Sequence, residues 1–190
     1  MNKILFLIVS LHYSLMLCGQ DLSALNTTID LSEFCDSVGE YDSNKCLPFS
    51  MRVPKGTQLV IGDWSTEITL DETFSIEVTE GDYLRKGDGT KIPSVRDGFG
   101  PHLPYNKEFL INKRKAGFEE NDINVLAEYV LEDENGFIAK TKVFQQFEYH
   151  FFFATSNGKV SFTFENEKGR SYNQAEARLM YESLKTIRWN

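Results

Sequence analysis

The side chains best placed by type and spacing to do chemistry fall between Gly81 and Pro104. This stretch holds Gly81, Gly87, Gly89, Gly98 and Gly100 together with Pro93, Pro101 and Pro104, which predicts a long loop. Long loops in compact domains tend to carry function. The candidate binding residues within it are Arg85, Asp88, Arg96, Asp97 and His102. Asp88-Gly89 and Asp97-Gly98 offer oxygen ligands for a hard cation. Their acidic residues do not alternate along the segment as a calcium loop requires, so ordinary Asp-Gly turns explain them more simply and no metal is expected. Gly87-Asp88-Gly89 lacks the Gly-Lys-Ser/Thr ending of a phosphate loop.

Catalytic signatures are weak. His102 has no acid or nucleophile at motif spacing, and neither a Gly-x-Ser-x-Gly elbow nor a His-Glu-x-x-His helix is present. Triads assemble from distant positions, so a hydrolase acting through His102 with Asp88 or Asp97 stands as the least favoured of three readings. His150 lies among aromatics on an expected strand, as a satisfied half-buried side chain or a pH-sensitive group. No catalytic residue and no cofactor is assigned.

The N-terminus has the form of an export signal. Lys3 supplies a positive start, and Ile4 to Cys18 is apolar apart from Ser10, His12 and Ser14. Residues 1–19 are expected to be removed, leaving an exported chain that is not integral to a membrane. Leu15-Met16-Leu17-Cys18-Gly19 also resembles a lipoprotein box, with Leu17 where a small residue belongs; Cys18 is therefore the lipidation candidate, with anchoring to an outer membrane the alternative to free periplasmic or extracellular release. Cys35 and Cys46, eleven residues apart, are expected to pair in an oxidising compartment. Closing such a loop contributes about 3 kcal/mol in the chain-entropy model.

These side chains need elements to position them. Residues 20–50 read as an irregular or partly helical arm, and a single domain is expected over 51–190. Strands are expected at Gln58–Trp64, Ser65–Leu70 and around Phe74, Ile76 and Val78. A helix is expected over Tyr105–Ala116, with Gly117 as its C-cap and Lys113, Arg114 and Lys115 as a solvated basic last turn. Ile123, Val125, Ala127, Tyr129 and Leu131 alternate as a strand with one buried face. Asn135-Gly136 supplies a hairpin turn with positive φ. Phe147, Tyr149, Phe151 and Phe153 point one way and Glu148, His150 and Phe152 the other, and after a turn at Ser156-Asn157-Gly158 the apolar row continues through Val160, Phe162 and Phe164. A last helix, capped by Asn173 or Ser171 with Glu176 completing a capping box, covers the rings with Ala175, Leu179, Met180, Leu184 and Ile187. Lys185 and Arg188 suit its negative end, and Trp189 closes the chain as an apolar plug.

The formal net charge is −8. That argues against nucleic acid, whose phosphates demand a basic face. The element order over 51–190 and the ending Leu184-Lys185-Thr186-Ile187-Arg188-Trp189 resemble the Mog1/PsbP-like domains, and the short signal with an acidic, aromatic-rich body resembles exported proteins of the Bacteroidetes. The resemblance implies an α+β fold, a meander-rich antiparallel β-sheet with helices packed on its faces. It also implies a binding or assembly role, and it brings no catalytic motif to match. The leading expectation is an exported, non-enzymatic interaction protein whose partner is another protein, in the manner of a periplasmic immunity protein or envelope assembly module. A small-molecule binder with an aromatic pocket is the alternative.

Overall fold

The alternation in the aromatic strands sets the architecture. In the computed structural model, the described residues are 22–31, 47–61, 66–80, 83–85, 91–93, 107–120, 128–143, 145–156, 161–167 and 169–190. After a short 3₁₀ turn, Leu22–Ala24, the strands are β1 (Thr27–Asp30), β2 (Phe49–Val53), β3 (Gln58–Ile61), β4 (Thr66–Asp71), β5 (Phe74–Glu80), β6 (Tyr83–Arg85) and β7 (Lys91–Pro93). Helix α1 (Lys107–Glu120) precedes β8 (Glu128–Asp133), β9 (Gly136–Val143), β10 (Gln146–Ser156) and β11 (Ser161–Asn166). Helix α2 (Gln174–Leu184) and β12 (Arg188–Trp189) follow. Seven strands form one antiparallel sheet in the order β3-β4-β5-β11-β10-β9-β8, and β1-β2-β12 form a second sheet. The fold is α+β.

Each face of the large sheet is covered differently. Phe151, Phe153, Phe162, Phe164, Phe74, Ile76 and Ile138 share one buried cluster with Ala177, Met180, Tyr181 and Leu184 of α2. Phe137, Ala139, Phe152 and Ala154 point to the other face, where Ile111, Leu110 and Phe118 of α1 meet them. Each large apolar side chain so buried contributes roughly 1.5–3 kcal/mol. The expected aromatic row is thus the protein core. Phe147 is the exception. It is 55% exposed at the start of β10, with the Lys140 ammonium 4.3 Å from its ring centre.

Helix α2 begins as its sequence requires. The Asn173 side chain accepts from the Ala175 and Glu176 amides at 2.8 and 3.0 Å, and Glu176 accepts from the Asn173 amide at 2.8 Å. The buried face is centred on Ala177, Met180, Tyr181 and Leu184, while Ala175 is exposed, so the covering stripe is rotated from the expected one. Tyr181 donates to Asp133 Oδ1 at 2.7 Å, and Lys185 Nζ lies 3.1 Å from Asp133 Oδ2. These contacts tie α2 to the β8–β9 hairpin. Burial works against the Asp133 carboxylate. The Tyr181 hydroxyl, the Asn135 amide and Lys185 outweigh it and hold this group below the usual range. Burial, then the neighbouring Asp133, push the Tyr181 phenol well up.

Several expectations are corrected. The stretch 20–50 contributes β1, which pairs with β2, and Leu25, Leu31 and Leu47 join the main core together with Phe49; no structural break falls at Met51. Arg188 and Trp189 form a strand opposite Ser50 and Phe49 instead of ending a helix. Helix α1 continues through Gly117 to Glu120, because Phe118 beyond it packs edge-on to Phe137 at 5.9 Å. The basic run is mid-helix and engaged: Arg114 pairs with Glu165, and Lys115 lies 2.6 Å from Glu132 and 5.0 Å from the Tyr129 ring centre. A register shift between Tyr129 and Leu131 puts Tyr129 on the α1 face and both Val130 and Leu131 against the main core. Such a bulge breaks the two-residue alternation. The hairpin turn is Glu134-Asn135, and Gly136 is already paired with Asp133 and is not among the positive-φ glycines. Within the expected long loop, β6 and β7 pair as a ribbon, with Arg85 opposite Lys91.

Candidate functional site: a charged cleft beside His150

The connection from β11 to α2 turns at Gly169, whose φ of 85° lies where glycine is favoured. It then runs beside β10. The Tyr149 amide donates to the Tyr172 carbonyl at 3.1 Å, and Ser171 Oγ donates to Glu148 Oε1 at 2.7 Å. On the opposite side stand Arg114 and Phe118 of α1. Between them lies a cleft of ≈ 270 Å³, lined from β10 by Glu148 and His150, from β11 by Glu165 and Asn166, and from the connection by Glu167, Arg170 and Ser171.

Three carboxylates here face two guanidinium groups. Arg114 pairs with Glu165, and Arg170 Nε lies 2.9 Å from Glu167 Oε2. Arg170 also donates to the Asp71 carbonyl at 3.2 Å, which fastens the connection to the β4–β5 turn. His150 Nε2 is 3.1 Å from Thr141 Oγ1 and 3.7 Å from Glu148 Oε2. Burial lowers the imidazole pKa from its ordinary 6.5, against the pull of Glu148 and with a small push from Arg114. The ring is therefore neutral near pH 7.

Asn166, like Glu167 and Tyr172, carries a buried side-chain atom without a hydrogen-bond partner. It is 7% exposed, and its Oδ1 accepts from the Phe151 amide at 2.5 Å. Because that oxygen must face an N–H, the amide nitrogen is fixed in the other direction. Nδ2 is buried with no protein partner, and an unmatched buried donor costs about 1–3 kcal/mol.

The described residues of the cleft are not ordered as a nucleophilic triad. In a nucleophilic triad the imidazole stands between hydroxyl and carboxylate. Here Glu148 stands between Ser171 and His150, so the ring has no direct path to the Ser171 proton. The walls instead present two ion pairs, the further carboxylate of Glu148, and an unpartnered donor and acceptor at Asn166 Nδ2 and Glu167 Oε2.

Of the residues singled out in the sequence, His150 lies in this cleft. Arg85 sits on β6, away from any described partner strand but β7. Asp88, Arg96, Asp97, His102, Cys18, Cys35 and Cys46 lie outside the described residues. Sequence reading missed Arg114, Glu148, Glu165, Asn166, Glu167 and Arg170 as a group, since no spacing links them. The only available signal was a polar residue, Asn166, following the buried alternation of Phe162 and Phe164. Among the described residues no group of three or more His, Cys, Asp or Glu could hold a metal ion, and no helix is long and apolar enough to cross a membrane. No family model, no curated protein and no solved structure matches this chain.

Proposed function

We propose that the chain is an exported, non-enzymatic binding protein and that the cleft beside His150 is its binding site. One observation carries this reading: the cleft holds a buried donor, Asn166 Nδ2, and a buried acceptor, Glu167 Oε2, neither with a hydrogen-bond partner, although Arg170 Nε stands 2.9 Å from the latter as an ion pair. Such a donor is costly to leave unmade and is answered by an oxygen acceptor from outside the chain. Most rings of the aromatic row pack against α2 and α1, and of that row Phe151 lines the cleft. Export rests on Lys3 and the apolar stretch to Cys18. A Mog1/PsbP-like sandwich belongs to the same proposal, supported by a seven-stranded antiparallel sheet with one helix against each face.

A protein partner, of the immunity or envelope-assembly kind, is the second reading. It is favoured by the net charge of −8, which would speed encounter with a basic surface. Native mass spectrometry of the chain purified from its own envelope tests both. A small added mass that is lost in Glu148→Gln supports the cleft. A stoichiometric protein that is retained in that variant supports the second reading and removes the cleft from function. A bare chain, with catalytic turnover of an ester or amide panel, overturns both.

A further inference from the structure

We infer that the ligand of the cleft is a neutral, hydroxyl-rich molecule of the carbohydrate class. The inference rests on the proposal that the cleft is a binding site, and it follows from which ligand charges the walls accept. A cation would be drawn to Glu148, Glu165 and Glu167, yet it has no lone pair to offer Asn166 Nδ2. An anion would satisfy that donor and the guanidinium groups, but it would sit among three carboxylates whose only described counter-charges are Arg114 and Arg170. A neutral hydroxyl escapes both penalties because it accepts and donates at one atom. Vicinal hydroxyls on a ring can accept from Arg170 or Asn166 while donating to Glu148 or Glu167, leaving the existing ion pairs in place. Hydrogen bonds to ionised groups are the stronger kind, so a neutral ligand gains them without bringing a charge that must be desolvated.

The cleft fits in other respects. At ≈ 270 Å³ it is of the size for one or two sugar rings. Phe118 lines one wall, with the Arg114 guanidinium 5.6 Å from its ring centre and the His150 ring 5.7 Å away. His150, in ring contact with Phe118, is held toward its uncharged form by burial and adds no net charge there. Glu148 is held by Ser171 Oγ, and Arg170 by Glu167 and the Asp71 carbonyl. These side chains are thereby preorganised, which reduces the ordering cost of binding.

Titration calorimetry on the mature chain tests the inference. The saccharide probes are glucose, galactose, N-acetylglucosamine and their disaccharides; glutamine, sulfate and putrescine represent a zwitterion, an anion and a cation. The expected result is saturable heat with at least one saccharide and none with the charged probes. Monosaccharide binding identifies free sugar as the source, and binding of disaccharides alone identifies the end of a glycan chain. Glu148→Gln and Arg170→Gln, with near-ultraviolet circular dichroism unchanged, are each expected to weaken binding about tenfold or more, as the loss of one charge-assisted hydrogen bond requires. Asn166→Asp keeps the acceptor for the Phe151 amide, removes the donor and abolishes binding. Binding of glutamine, sulfate or putrescine with silent saccharides overturns the ligand class while leaving the cleft a binding site. Silence from every probe, with native mass spectrometry showing a bare chain, overturns the class and the site together.

Discussion

Gly136→Ala is expected to cost about 3–5 kcal/mol, a large share of the ~5–15 kcal/mol that holds a domain together. A methyl group built on Gly136 would meet the Phe152 carbonyl oxygen at 1.9 Å, its carbon at 2.9 Å and Phe153 Cα at 3.0 Å. All three are backbone atoms of β10, so no side chain can rotate away. Strands β9 and β10 would have to part by roughly 1 Å to restore ordinary contact. The Ala154 amide, now 2.8 Å from the Asn135 carbonyl, would then pass beyond hydrogen-bond range. Ala154 is fully buried, so its unmatched donor costs about 1–3 kcal/mol. Disturbed packing of Phe137 and Phe153 adds about 1–3 kcal/mol. Urea denaturation followed by tryptophan fluorescence, to which Trp189, stacked on Phe162 at 5.8 Å, contributes beside Trp64, reads the loss as a midpoint lowered by about 2 M at a slope near 2 kcal/mol/M. Gly117→Ala is the counterpart. Nothing lies within 4 Å of the place its methyl group would take, and the site is helix interior, so the variant should gain about 0.5–1 kcal/mol. A Gly136→Ala protein within about 1 kcal/mol of the parent would refute the close-approach reasoning, as would equal effects at the two sites.

Asn173→Ala removes the side-chain acceptor for the Ala175 and Glu176 amides at the start of α2 and should lower stability by about 1 kcal/mol in the same urea assay. Tyr181→Phe removes the donor to Asp133 and should cost about 1.5–3 kcal/mol at pH 7. The folded Asp133 carboxyl titrates below its unfolded counterpart, so this contribution is complete above about pH 4 and fades as pH falls through the lower folded value. Parent and Tyr181→Phe should therefore converge in acid. The folded His150 also titrates low, because burial disfavours its charged form. The unfolded chain binds the extra proton first, so stability should decline as pH drops from about 6.5 toward the folded value and be level above it. His150→Gln should flatten that slope, and a chemical-shift titration of the ring should return a midpoint below 6.5.

Local chemistry made parts of this fold readable in advance. Asn173 and Glu176 sit three apart ahead of an apolar run, and the capping box forms there because both partners belong to one turn. Phe151, Phe153, Phe162 and Phe164 alternate, and the sheet buries them on one side. Where tertiary contact overrides local preference, the reading fails. Gly117 looks like a helix end until Phe118 is seen to pack on Phe137, and a single extra residue at Val130 changes which face its neighbours share. Strand β1 has four residues, too short a pattern to declare itself without β2 beside it. The cleft was least legible. Its groups come from α1, β10, β11 and the β11–α2 connection, so only folding brings them together. Arg114 reads in sequence as one of three solvated cations, and its partner Glu165 is 51 positions away.

The small sheet has a temporal consequence. β2 is flanked by β1 on one side and by β12 on the other, and Asn190 reaches back to the Pro48 carbonyl at 3.0 Å and to Asp30 Oδ1 at 3.1 Å. The first and last strands described thus close against the same neighbour. A chain emerging from the ribosome therefore lacks one edge of this sheet until synthesis has passed Trp189. Phe49 and Phe162 remain until then without the Trp189 ring that meets both. Contacts of such long sequence separation form late and slowly. β12 thus completes the small sheet and the ring cluster around Phe49 and Phe162 only once these residues have been made.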